Sequence, residues 1–411
     1  MLDIEAPNVN SARMRHAGKG LLSLALMDAR NHTLRWMAVY EEALAQKRFA
    51  VSLSAELNPP LWELGHLGWF QEWWIARNVQ RQRGTTCDPT IPRLASIEPD
   101  ADRWYDSGNV PHDSRWHLDL PDLRCTKQFL ADIMDVTLEL LEGSDETDDA
   151  LYFYRLALFH EDMHGEAFAT MAQTLGLEVP NAEELMQSPA SHPPREPLLF
   201  PATRWSFGSG KGGFVFDNEK WAHEVSVPEF EIDAQPVSWA QYSEFVEDGG
   251  YDEEKFWSDA AWAWLQSGGR RTPRHVDQMR QGVLQQRFGR LVRVPLSQAA
   301  SHVSGYEAKA WCRWAGRRLP TEVEWEVAAH QGAARGFRWG DVWEWTSSNF
   351  RPFPGFSADP YLDYSQPWFG NHQVLRGASF ATRGRMRSAK YRNFYLPWRD
   401  DIFSGFRSCA V

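Results

Sequence analysis

The chain is poor in cysteine: four in 411 residues, Cys87, Cys125, Cys312 and Cys409, with no CxxC spacing among them. Neither a disulfide framework nor a thiolate zinc site is indicated, and the four read as filler. Positive charge is also in deficit, 43 Lys and Arg against 55 Asp and Glu, for a formal net charge of -12. That balance disfavours nucleic acid or an anionic membrane as a partner. No apolar run approaches the length of a membrane span, and the opening MLDIEAPNVN is acidic, unlike a secretory signal. A soluble cytoplasmic protein is expected. No periodic repeat runs through either half.

What is present divides in two. A chain of this length exceeds one ordinary core, so two domains are expected. Up to Gly176 it carries four long helical patterns: LLSLALMDARNHTLRWMAVYEEAL, PPLWELGHLGWFQEWWIARNVQ, TKQFLADIMDVTLELLEG and DALYFYRLALFHEDMHGEAFATMAQTLG. They predict a helix bundle over residues 1–180. The proline-rich stretch 181–200 reads as a linker. Residues 201–411 show short alternating strands such as HEVSVPEFEID, many glycines and tryptophans, and one convincing long helix, GYEAKAWCRWAG. The fold class is α+β. Most tryptophans of this half, including Trp325, Trp343 and Trp345, read as core.

One stretch of the fourth helix carries chemistry. In LALFHEDMHGEAF, His160 and His164 project from one helical face, about 40° apart, as two imidazoles offered to one ion do. A third ligand is expected from a facing helix of the bundle. His66, in WELGHLGWF, is the best candidate, because a histidine inside a tryptophan-rich helix is awkward to bury without a partner. His32, with neighbours able to satisfy it, and the loop residues His112 and His117 are weaker alternatives. Glu166 sits about 200° around the axis from His164, so it faces away from such an ion. A supporting contact or a salt bridge to a neighbouring helix is expected of it.

These motifs resemble a known family. HxxxHxE on a late bundle helix, with an upstream histidine in a tryptophan-rich helix, is similar to the DinB-like domain of the sulfoxide synthases of ergothioneine and ovothiol biosynthesis. The second half is similar to the formylglycine-generating-enzyme fold, which is C-type-lectin-like, through FEIDAQPVSWAQYSEFVEDGGY, HVSGYEAKAWCRWAGRRLPTEVEWEVAA, GDVWEWTSS, VLRGASFAT and GFRSC. The resemblance implies Fe(II) held by His66, His160 and His164, with positions left for substrates and dioxygen. It also implies formation of a carbon–chalcogen bond at the imidazole carbon of hercynine. Cys312 and Cys409 do not form the reactive pair of formylglycine-generating enzymes, so the second half reads as a lid that contributes substrate contacts.

Departures from the family's pattern bear on the substrates. Met163 stands where the ergothioneine branch has glutamine. In RNFYLPWRDDIFSGFR, Asn393 is kept but Phe394 and Tyr395 replace tryptophan and aspartate. With Trp398, these aromatics are expected to cage the trimethylammonium group. The paired arginines that suit a γ-glutamylcysteine donor are missing from DRWYDSGNVPHDSRWHLDLP, which has Arg115 alone beside Asp106, Ser107, Asn109 and Asp113. That loop suits a neutral, hydroxyl-rich donor and is similar to the selenoneine synthase branch, whose donor is a selenosugar. Two alternatives stay open: an ergothioneine-type synthase with a thiol donor, and a non-catalytic sugar- or betaine-binding module. The family's tyrosine is matched by either Tyr361 or Tyr364.

Overall fold

The computed structural model describes residues 10–411. A short helix, α1 (Ser11–Arg15), leads into α2 (Lys19–Leu44). The helix α3 (Pro60–Gln71) opens on a proline whose missing N–H costs nothing in the first turn, and it runs on into a π-helical turn, Glu72–Ala76. After the short α4 (Ala101–Tyr105) come α5 (Leu123–Glu142), capped by Asp122, and α6 (Asp148–Leu175). Thr147 caps the start of α6 and Gly176 ends it in a left-handed conformation, φ 64°. The long helices α2, α3, α5 and α6 pack against one another.

All strands of the described residues lie in the second half. The first, β1 (Leu198–Phe200), pairs with β4 (Phe230–Ile232), and β2 (Thr203–Phe207) pairs with β3 (His223–Val227). A three-stranded sheet follows, β5 (Val276–Gln278), β6 (Val283–Arg287) and β7 (Arg290–Val294). The fourth sheet has the order β10-β9-β8-β11, formed by Asn393–Tyr395, Gln373–Gly377, Trp343–Asn349 and Ser404–Phe406. Within it β8 and β11 are parallel, and the other pairs are antiparallel.

The second half holds more helix than the single long one expected. In addition to α9 (Gly305–Trp314), it contains α7 (Trp239–Glu247), α8 (Asp259–Gly268) and α10 (Glu322–Gln331). Each is short, so packing rather than periodicity sustains it. The segment 181–200 is not a free tether either. Gln187 N–H donates to the Phe380 carbonyl, His192 meets Asp341, and the last three residues are β1.

One apolar cluster runs from the helices into the second half, from Met14 through Phe168 to Phe406, and Trp343 and Trp345 belong to it; Trp325 anchors a second, smaller one. Buried ion pairs join the same two regions. Arg385 holds Asp162 with two hydrogen bonds of 2.6 and 2.7 Å, and Arg15 holds Glu219 at 2.7 and 2.9 Å. The four cysteines are free thiols, and only Cys125 is exposed. No helix of the described residues is long and apolar enough to cross a membrane.

Candidate metal centre

The packing of α3 against α6 brings His66, His160 and His164 together, with one ring nitrogen of each lying within 4.8 Å of the others. His160 Nε2 and His164 Nε2 are 3.2 Å apart. The remaining nitrogens of two rings have fixed partners: His66 Nδ1 donates to the Tyr105 carbonyl at 2.8 Å, and His164 Nδ1 meets the Glu63 carboxylate at 2.5 Å. Such partners orient a metal-binding imidazole and leave its second nitrogen with a lone pair. Packing holds the rings, since Trp62 stacks on His66 and Phe70 on His160, the latter with centroids 3.5 Å apart. Burial pushes His66 down to about 3 and His160 well below the usual imidazole range, so both are neutral, the state in which histidine binds a cation. Burial works against the Glu63 carboxylate, but its contact with His164 prevails and holds it down to about 2. Three convergent imidazoles, two of them with anchored Nδ1 atoms, fit a divalent transition metal.

A cavity of about 170 Å³ opens beside the triad, between the helices and the second half. Glu63, Met163, Glu166, Trp343, Tyr391, Asn393 and Tyr395 line it, together with the carboxylates of Glu56 and Asp401. Glu56 is held by Arg274 at 2.7 Å and Asp401 by Arg399 at 2.5 and 2.6 Å. Glu166 faces away from the histidines, as helix geometry requires, but it makes no salt bridge to a helix. It accepts from Trp343 Nε1, Ser379 Oγ and Thr382 Oγ1 at 2.8, 2.5 and 2.6 Å, binding α6 to the second half. Burial raises its carboxyl above the ordinary value.

The predicted substrate residues divide. Met163, Asn393 and Tyr395 share the cavity, and the Tyr391 hydroxyl donates to Met163 Sδ at 3.2 Å. Phe394 does not line it, because alternation along β10 turns this side chain the other way, where it stacks on Phe350 with centroids 4.1 Å apart. Trp398 is 43% exposed and also lies outside the lining. Of the three aromatics expected to act together, Tyr395 alone lines the cavity, beside Trp343 and Tyr391.

Arg115 is likewise absent from the cavity wall. Its guanidinium lies over Trp62 and donates to Asn58 Oδ1 at 2.8 Å and to the carbonyls of Ser107 and Val110. Asp106 is occupied within its own loop, accepting from Gly108 N–H and Asn109 Nδ2. Neither it nor Ser107 reaches the cavity lining. Of the two tyrosines, Tyr361 stands beside the triad, its ring 6.3 Å from His160 and 5.0 Å from Phe70. Tyr364 instead donates to the Tyr391 hydroxyl at 3.2 Å. His32 is satisfied locally by Trp36 Nε1 at 3.2 Å.

Several wall residues escaped the sequence reading. Glu63 lies one turn before His66, a spacing that marks it as a possible neighbour of the site; Glu56, Tyr391 and Asp401 carry no local signal at all.

Comparison with known proteins gives the context. Residues 182–341 match the sulfatase-modifying factor enzyme 1-like domain family. Across 94% of its length the chain is 33% identical to the hercynine oxygenase of Mycolicibacterium thermoresistibile, covering 94% of that protein. It is 32% identical to the hercynine oxygenase of Mycolicibacterium smegmatis, over 92% of this chain and 96% of the other. The formylglycine-generating enzyme of Streptomyces coelicolor is 27% identical over 47% of this chain and 81% of its own. With one residue in three shared from the helices through the last sheet, the chain belongs to the hercynine oxygenase family of enzymes.

Proposed function

We propose that the protein is an Fe(II)- and dioxygen-dependent enzyme that joins a chalcogen donor to the imidazole carbon of hercynine, and that the donor is a selenosugar. The observation that carries the hercynine part is the cavity beside the triad. Tyr395, Trp343 and Tyr391 give it aromatic surface suited to a quaternary ammonium group, while the wall carboxylates Glu56 and Asp401 are each paired with an arginine. Residues 1–180 are read as the DinB-like bundle that holds the metal, 181–200 as the connection, and 201–411 as a formylglycine-generating-enzyme-like domain that completes the cavity.

Iron, when bound by His66, His160 and His164, supplies the redox chemistry toward dioxygen. The protein supplies the rest. Glu63 and the Tyr105 carbonyl fix the ring orientations of His164 and His66. Tyr361 is assigned as proton donor. Burial, with Asp363 and Asp106 adding to it, raises its phenol so that the proton stays on, and the ring lies against His160. The enclosed cavity holds the two reactants in contact, which is worth several kcal/mol of barrier.

The donor assignment rests on Arg115. A doubly anionic peptide requires a free guanidinium, and this one is committed to Trp62, Asn58 and two carbonyls. A sugar needs only neutral hydrogen-bonding groups, such as those of Asn393 and Thr170 in the cavity wall. The deciding experiment supplies iron-loaded protein with hercynine, oxygen and either a selenosugar or γ-glutamylcysteine, and identifies products by mass. A preference for the selenosugar of at least about a hundredfold, or roughly 2.7 kcal/mol, is expected. Efficient carbon–sulfur product would establish a thiol donor, and no oxygen uptake with either would indicate a binding module.

A further inference from the structure

A second enclosed cavity, of about 150 Å³, lies behind the 400–403 segment, on the side away from the triad. Arg287, at the end of β6, forms part of its wall. The guanidinium donates through Nε to Gln285 Oε1 at 2.7 Å and through Nη2 to Gln298 Oε1 at 2.9 Å, both neutral amides. Arg287 is half-buried, its Nη1 makes no hydrogen bond among the described residues, and it forms no ion pair with a carboxylate of those residues. Asp341 shares the wall but is taken by His192 at 2.9 Å.

This is unlike the fully buried arginines of the same half. Arg376 meets Glu326, Arg385 meets Asp162, Arg392 meets Glu322, and Arg407 meets Glu344. Desolvating a guanidinium without a counter-charge costs several kcal/mol, and chains pair such groups for that reason. At Arg287 burial acts unopposed and pushes the group down to about 10. Much of the rest of the wall is apolar, formed by Met186, Phe288, Val342, Phe380 and Phe403, with Ser301 and His302 among its polar members.

We propose that this cavity is a binding site for a small monocarboxylate with an apolar body, whose carboxylate pairs with Arg287 and whose body lies against Phe380 and Phe403. The charge requirement follows from the guanidinium that lacks a carboxylate partner, because an anion would both accept from Nη1 and pair with the half-buried charge. The apolar requirement follows from the rings of Phe288, Phe380 and Phe403 with Val342 and Met186, surface that a phosphate or sulfate would leave uncovered. Nothing in this inference depends on the chemistry at the histidines.

Calorimetric titration of the full chain with benzoate, benzamide and inorganic phosphate tests it. Benzoate is expected to bind saturably at one site, and benzamide, the uncharged counterpart, at least about tenfold more weakly, with phosphate weaker still. Arg287→Gln should weaken benzoate by at least about tenfold, while Arg287→Lys, which keeps the charge, retains part of the affinity. Equal binding of benzoate and benzamide, tighter binding of phosphate, unchanged benzoate binding in Arg287→Gln, or no saturable binding would each overturn the proposal. If the substituted chains fail to fold, the comparison of benzoate with benzamide on the unaltered protein decides it.

Discussion

Arg115 lies over Trp62, its guanidinium carbon 3.9 Å from the ring centroid, and Trp62 in turn stacks on His66. A second route leads from the same arginine to His164: Arg115 donates to Asn58, Asn58 donates to Glu63 at 2.8 Å, and Glu63 takes His164 Nδ1. One cation outside the cavity thus supports two of the three histidines. Arg115→Leu is expected to weaken metal binding about tenfold, measured by chelator competition, with a smaller effect on the donor's KM. Unchanged metal affinity with a raised donor KM would return Arg115 to the donor site.

Glu166 collects three donors from the second half, and burial leaves those donors no water to turn to. Glu166→Ala should therefore cost about 3 kcal/mol in urea unfolding, more than an average substitution. A loss below about 1 kcal/mol would mean that the three groups find other partners.

On the substrate side, Tyr395 at the end of β10 lines the cavity and Trp398, three residues on, does not. Tyr395→Ala is expected to raise the apparent hercynine constant by about tenfold, since it removes a ring facing the cavity. Trp398→Ala should change it by less than about twofold. Steady-state oxygen uptake at varied hercynine reads both, and equal effects would place Trp398 in the binding wall after all.

Glu307 gives a pH dependence whose sign is fixed. Burial, with Asp400 adding to it, pushes this carboxyl up to about 7 from 4.5, against the hydrogen bonds from Tyr251 and Ser304. The folded chain keeps a proton that the unfolded chain releases, so this contribution is full below about 4.5 and is lost as pH rises to about 7. Urea midpoints taken across that window should fall with rising pH, and Glu307→Gln should flatten the slope. A slope that survives the substitution would assign the effect to another group.

The histidine triad was legible in the sequence because two of its members are set by the pitch of one helix, and helices of this length persist in almost any context. The extra helices of the second half were also written there, since Ser238 with Gln241 and Thr321 with Glu324 are capping boxes. Their shortness hid them. The orientation of Phe394 followed from strand alternation once β10 is known to be a strand, but three residues are too few to show a period. The cavity's acidic groups were not legible. Glu56 and Asp401 lie 345 positions apart, and only tertiary packing brings their carboxylates within 4.8 Å of each other.

From His160 to Glu166 no residue of α6 is idle. Glu161 takes Arg30 and Thr33, Asp162 takes Arg385, Met163 meets Tyr391, and a Cβ on Gly165 would sit 3.1 Å from His32 Cδ2. His160, His164 and Glu166 complete the run. A helix engaged around its whole circumference offers neutral drift no place to accumulate, and a one-residue insertion would rotate everything beyond it by about 100°. Random libraries across this stretch should return the starting residues, whereas the exposed Gly108 and Asn109 are free to vary. New substrate preferences in this lineage, natural or selected in the laboratory, would then arise elsewhere in the cavity wall while this helix stays as it is.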